Sequence, residues 1–169
     1  FMLSASEKEK VELEHQAAKL FLRLYEKQFN LPMRHLWHNQ PSKPDVSCYQ
    51  GEGKLDIEIA HLYGSEKEAM AILHRELSSE TKENLKALLL EPIETRLTKA
   101  LQRILANKAL KHYDSKRVWL VIRNANPFWR NNDIQALQHH FAMPTPHPFE
   151  QVWIIGDMQG HSGLTQLYP

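Results

Sequence analysis

From Ser4 to Phe29 the chain carries apolar residues every three or four positions and no glycine or proline before Pro32, the spacing of one helical face. At about 100° per residue, Leu13, Ala17, Ala18, Leu20, Phe21, Leu24 and Tyr25 share one arc, with Ser4 or Ser6 as cap and acidic residues early. Glu14 falls in the middle of that arc, whereas Glu12 points to the opposite side. After Pro32 the period shortens. Residues 34–39 read as a strand, and two further strand-like segments, Lys43–Tyr49 and Lys54–Ala60, flank the turn sequence Gln50-Gly51-Glu52-Gly53.

Ser65 with Glu68 forms a capping box for a helix through Ala69, Ile72, Leu73 and Leu77 toward Leu90, and Pro92 opens another from Ile93 to about Tyr113. The apolar arc of the latter carries Ile93, Leu97, Ala100, Leu101, Ile104 and Leu105. Arg117–Arg123 and Gln151–Ile155 are short apolar, β-branched runs, the mark of strands buried on both faces. Asp133–Phe141 predicts a short helix, Met143–Pro148 with three prolines an irregular stretch, and Leu164–Tyr168 an edge strand. Strands separated by long helices predict an α/β fold in which helices cover both faces of a central mixed sheet.

With 169 residues, 42% hydrophobic and 24% charged, the chain can build one domain with a substantial core, spanning residues 4–169. No apolar run approaches the roughly 20 residues that span a bilayer, and the amino-terminal segment reads as a charged helix and not a signal peptide, so a cytoplasmic protein is expected. A lone Cys48 offers neither an internal disulfide nor a thiol metal cluster. The ten histidines lack zinc spacing: His139 and His140 are adjacent, and His35 with His38 is no i,i+4 pair. A net charge of +1 gives no global pull on nucleic acid, so any such binding needs a local patch. Trp119 and Trp153 belong to the core on this reading; Trp37 and the exposed-looking Phe128-Trp129-Arg130 loop are the better candidates for stacking or partner contact, although a loop that anchors its own Trp against the domain is the favoured alternative.

The hairpin carries the candidate chemistry. If Gly51-Glu52 forms a two-residue type II′ loop, position 50 pairs with 53 and Asp45 faces Glu58. The glycines also permit a longer, bulged turn, and a slip of one residue would send Glu58 to the other face. Opposed carboxylates call for a positive charge between them, a divalent cation or a lysine. Glu14 and, on the later helix, Lys108 and Lys111 also occupy positions that their neighbours mark as core, and buried charges need partners.

Pro44-Asp45, the acidic strand Asp56-Ile57-Glu58-Ile59-Ala60 and the preceding helical Glu14 resemble the PD-(D/E)XK nuclease-like superfamily, and the order of elements from about residue 8 to 156 is similar to its fold. The resemblance implies a single-domain restriction-endonuclease-like sandwich. It also implies hydrolysis of a nucleic-acid phosphodiester, DNA first, with Asp45, Glu58 and Glu14 on Mg²⁺ or Mn²⁺. The family's lysine, two residues after the second acid, is replaced here by Ala60. Lys108 or Lys111 is the candidate substitute, ahead of Lys54, which lies roughly 13 Å along the strand from Glu58. The alternative is a non-catalytic relative that binds nucleic acid or protein. No membrane partner is expected, and nothing in the sequence excludes a homodimer.

Overall fold

The first helix forms where its capping chemistry and apolar stripe agree. In the structure, a computed structural model describing residues 3–39, 44–63, 78, 79, 82, 83, 90, 92–127 and 129–169, α1 spans Ala5–Phe29. Ser4 is the cap, its Oγ accepting the Glu7 N–H at 3.2 Å. Asn30 ends the helix in the left-handed region, φ 53°, and donates its N–H to the Glu26 carbonyl, a conformation asparagine tolerates better than most residues.

Six strands follow in chain order: β1 Met33–His38, β2 Val46–Gln50, β3 Gly53–Leu62, β4 Val118–Asn124, β5 Gln151–Ile155 and β6 Leu164–Tyr168. They form one mixed sheet in that same order. The β3–β4 and β4–β5 pairs are parallel, and the β1–β2, β2–β3 and β5–β6 pairs are antiparallel. The helix α2, Ile93–Ala109, precedes β4, and the short helix α3, Asn131–Ala136, lies between β4 and β5. The fold is therefore mixed α/β, with a six-stranded mixed sheet and three α-helices among the described residues.

Several boundaries differ from the sequence expectation. α2 stops at Ala109 and not near Tyr113, so Lys111 and Tyr113 sit on the segment that turns away from the helix end. α3 begins two residues earlier than Asp133, at Asn131, and its continuation tightens into a 3₁₀ turn over Leu137–His139. β1 contains an irregularity between Arg34 and Trp37, where His35 adopts φ 62°. Trp129 is 4% exposed, so its loop anchors its own Trp against the domain and does not offer it for stacking: it packs in an apolar cluster and Asn124 Nδ2 holds its carbonyl at 2.9 Å. Trp119 and Trp153 are buried as expected, and Trp37 is exposed. Phe128 and the helix expected after Ser65 lie outside the described residues, apart from isolated positions in the latter.

Strand alternation sorts the core into two clusters. Ile57, Ile59, Trp119, Val121 and Trp153 gather with Ala17, Phe21 and Tyr25 of α1. Ala60, Leu62, Leu120, Ile122 and Ile154 gather with Leu97, Leu101 and Leu105 of α2 and with Ile134 of α3. An aromatic group ties α1 down: Tyr25 lies 5.4 Å from Trp119, and Phe21 meets Trp119 edge-on at 6.2 Å. Such pairs add about 0.5–1.5 kcal/mol each beyond the area they bury. Glu58, by parity, sits on the Leu120 and Ala60 side of β3, facing the cluster that α2 completes.

Candidate active site

The hairpin adopts the register that faces Asp45 toward Glu58. Gln50 pairs with Gly53 and Val46 with Ile57, and Gly51 takes φ +60° at the first loop position while Glu52 keeps a negative φ, as a type II′ turn requires. β3 outruns its partner, so from Glu58 onward its edge has lost the β2 ladder. Asp45 fills that gap, its Oδ2 accepting the Ile59 N–H at 2.9 Å while its own N–H donates to Glu58 Oε1 at 3.2 Å. Pro44 and Asp45 are held by Asn39, whose Nδ2 donates to the Pro44 carbonyl at 2.9 Å and whose N–H donates to the Asp45 carbonyl.

Glu58 is 2% exposed. Leaving such a carboxylate unpaired would cost several kcal/mol, and three donors converge on its Oε2. Lys108 Nζ lies at 3.1 Å, Lys111 Nζ at 3.3 Å and Tyr113 Oη at 2.8 Å. Burial disfavours its charge, but Lys108 and the hydrogen bonds from Asp45 and Tyr113 outweigh that and hold the carboxyl below its usual range. Asp45 goes the other way. Burial first, then the adjacent Glu58, pushes its carboxyl up to about 8, so the two acids share a proton near neutrality. Burial and the Glu58 charge also raise the Tyr113 phenol, keeping it a donor. Burial opposes the charge on Lys111, yet Glu58 more than compensates and raises its pKa.

Asp45, Glu58, Lys108 and Lys111, drawn from three separate parts of the chain, thus meet at one spot. Lys54 does not join them, its amine lying 3.7 Å from Asp56, which also accepts from the Ser47 hydroxyl. Glu14 is buried within the α1 arc, as its position predicted, but its carboxylate pairs with His38 Nε2 at 3.1 Å and Lys10 Nζ at 3.8 Å. It still acts electrostatically on Asp45 and, with Lys108 and His61, lines a cavity of about 480 Å³ beside Ala60. Among the described residues no three of His, Cys, Asp or Glu are grouped to hold one metal ion.

Two participants escape sequence reasoning. Tyr113 lies on a stretch expected to be helical, and the only hint was its place two residues after Lys111. His61 follows Ala60 on the other face of β3, and its Nε2 is buried without a hydrogen-bond partner.

No protein-family model, curated protein or solved structure matches the chain. No helix among the described residues is long and apolar enough to cross a membrane.

Proposed function

We propose that the chain is a divergent, cytoplasmic PD-(D/E)XK-type nuclease, a single-domain sandwich over residues 4–169 that hydrolyses nucleic-acid phosphodiesters, DNA first. The observation that carries this reading is Lys108 Nζ at 3.1 Å from Glu58, whose other oxygen faces Asp45. The two acids and one lysine of the motif reassemble although Ala60 stands in the lysine's usual place. The two core clusters, one containing α1 and the other α2 and α3, support a sheet covered on both faces.

A proton shared by the buried Glu58 and the half-buried Asp45 marks a place where a divalent cation fits, and Mg²⁺ is commonly held by one or two carboxylates completed by water and phosphate oxygens. Asp45 and Glu58 would hold Mg²⁺ or Mn²⁺, with Glu14 reaching it through water. The ion, when bound, would lower the pKa of a water and polarise the phosphodiester. Lys108 is placed to orient that water or to balance charge building on the phosphoryl oxygens. Tyr113 and Lys111 position Glu58 by occupying its Oε2.

The test is cleavage of plasmid and single-stranded DNA with Mg²⁺ or Mn²⁺ by the wild type and by Glu58→Ala. Loss of cleavage in the variant is the expected result; equal cleavage by both proteins, or none by either, overturns the proposal. A second reading, a non-catalytic module that binds nucleic acid or protein, draws support from Glu58 having donors on both oxygens and Glu14 being engaged by His38. It predicts binding without turnover.

A further inference from the structure

The sheet face that carries Glu58 does not end at β3. Side chains directly opposite one another share a face, so Asp56 continues into Ser47 and Trp37, and Lys54 into Tyr49. α2 and α3 pack on this face over β3, β4 and β5, whereas at its β1–β2 end Trp37 and Tyr49 are each 37% exposed. Their rings lie 5.8 Å apart, tilted by 45°, and the exposed His35 meets Tyr49 at 6.0 Å and 85°. Neither contact is a parallel stack that would use up the ring faces.

Trp37 reaches this face through the irregularity in β1. With Arg34 opposite Tyr49, an unbroken ladder would set Trp37 opposite Val46, which packs in the apolar cluster with α1. The extra residue instead sets Trp37 opposite Ser47 and gives His38 the place beside Val46, from which it reaches Glu14. His35, inside the bulge, takes a left-handed φ of 62°, which few residues other than glycine adopt. Bulges re-aim side chains beside functional sites, and this one turns an indole from the core to the surface. Neighbouring exposed aromatics mark a contact surface. Trp37 is two strands over and two residues along from Glu58, so their backbones lie roughly 12 Å apart.

We propose that Trp37 and Tyr49, with His35 beside them, form a stacking platform for unpaired bases of single-stranded DNA and lead the strand toward the Asp45–Glu58 pair on the same face. Every base offers a π face to an aromatic ring, whatever the sequence, whereas a duplex keeps its bases stacked on one another. Lys54, opposite Tyr49 and 3.7 Å from Asp56, and Lys111, on Glu58, have side chains 49% and 52% exposed, so ammonium groups stand both beside the rings and beside the acid pair. The net charge of +1 supplies little long-range pull on phosphates, so stacking carries most of the affinity. The choice of DNA rests on the nuclease reading.

The experiment measures binding of a fluorescein-labelled oligothymidine by anisotropy in EDTA, where no cleavage occurs, against a blunt duplex of equal length. The wild type is expected to bind the single strand at least about tenfold tighter than the duplex, with a salt slope of about two or less. Trp37→Leu and Tyr49→Leu keep apolar bulk but remove the ring, and each should weaken single-strand binding about fivefold or more, while Trp37→Phe retains most of it. Both positions are at the surface, and unchanged thermal midpoints show that the variants fold. Wild-type affinity in both folded leucine variants, a loss in Trp37→Phe as large as in Trp37→Leu, equal affinity for the duplex, or no single-strand binding overturns the platform. A dimer in analytical ultracentrifugation that both leucine substitutions dissolve, without oligonucleotide binding, gives the surface to a second copy and overturns it too. Cleavage of single strands that requires Glu58 but is unchanged in Trp37→Leu leaves the nuclease reading standing and removes the platform; ring-dependent single-strand binding without cleavage does the reverse.

Discussion

Replacing Asp45 by asparagine removes the shared proton while keeping the shape of the carboxyl. The asparagine Oδ1 can accept the Ile59 N–H as Asp45 Oδ2 does, and its Nδ2 can donate to Glu58 in place of the acid proton. In the wild type the folded carboxyl titrates at about 8, against 3.8 for the free side chain. Between those values the native state holds a proton that the unfolded state has released. Stability therefore falls as pH rises through this window, by at most about 1.4 kcal/mol per pH unit. From pH 5 to 8 the ceiling is about 4 kcal/mol. Asp45 is only partly enclosed, so solvent screening brings the expected change to about 2–3 kcal/mol. The lowered Glu58 contributes in the opposite sense, its stabilisation being lost as pH falls below the ordinary carboxylate range, outside this window. The lowered His61 adds stability as pH rises toward 6.5, but it does so in both proteins and cancels in the difference. Urea unfolding in EDTA, followed by tryptophan fluorescence, should show Asp45→Asn gaining about 2–3 kcal/mol on the wild type between pH 5 and 8. A difference that does not change with pH refutes the shared proton.

Adding millimolar Mg²⁺ at pH 8 should raise the melting temperature of the wild type and leave that of Asp45→Asn unmoved, measured by differential scanning fluorimetry. Lys108→Met should cost about 2–4 kcal/mol by removing the more buried of the two cations on Glu58 and lower cleavage at least a hundredfold, whereas Lys111→Ala, whose side chain is 52% exposed, should cost under about 1 kcal/mol. Full activity in both variants sinks the proposal that either lysine takes the place of the one missing at Ala60. Tyr113→Phe removes one hydrogen bond to a charged acceptor and should lower urea-unfolding stability by about 1.5 kcal/mol. Gly160→Ala should cost about 1–3 kcal/mol, because Gly160 has φ +79° and a Cβ there would stand 2.8 Å from Leu20 Cδ1; an unchanged thermal midpoint would contradict that contact.

What the sequence made legible followed from periodicity. The α1 stripe, the hairpin register and the two buried strands all rest on local spacing; Glu14 was visible as a charge where its neighbours demand burial, and Glu58 as the acid that the hairpin register sets opposite Asp45. What it concealed depends on where a chain leaves a regular element. The period of α2 continues past Ala109 on paper, so Lys111 and Tyr113 read as helical, and only the actual turn brings both onto Glu58. Trp129 depends on such a turn as well: its sequence left stacking and anchoring both open, and Asn124 folds the loop back over the α2 side of the sheet. The capture of Glu14 by His38 depends on how β1 lies beside α1, which no local pattern encodes.

On the nuclease proposal, a lysine supplied by α2 is physically consistent with an alanine at position 60. Ala60 lies on the Glu58 face, packed with Leu62 and the α2 leucines; a lysine there would have to bury its stem among them. Lys108 instead approaches from the last turn of α2, where the helix carbonyl ends favour a cation. Its placement also gives the acid pair a direction. Both lysines and Tyr113 contact Oε2 of Glu58, whereas Oε1 faces Asp45. The donors therefore neutralise Glu58 from one side only, and the proton stays on Asp45 even with two ammonium groups nearby. A cation that displaces that proton would enter from the Asp45 side, leaving Lys108 on the opposite edge of the same carboxylate. On the nuclease proposal, the metal would then sit against one oxygen of Glu58 and Lys108 against the other.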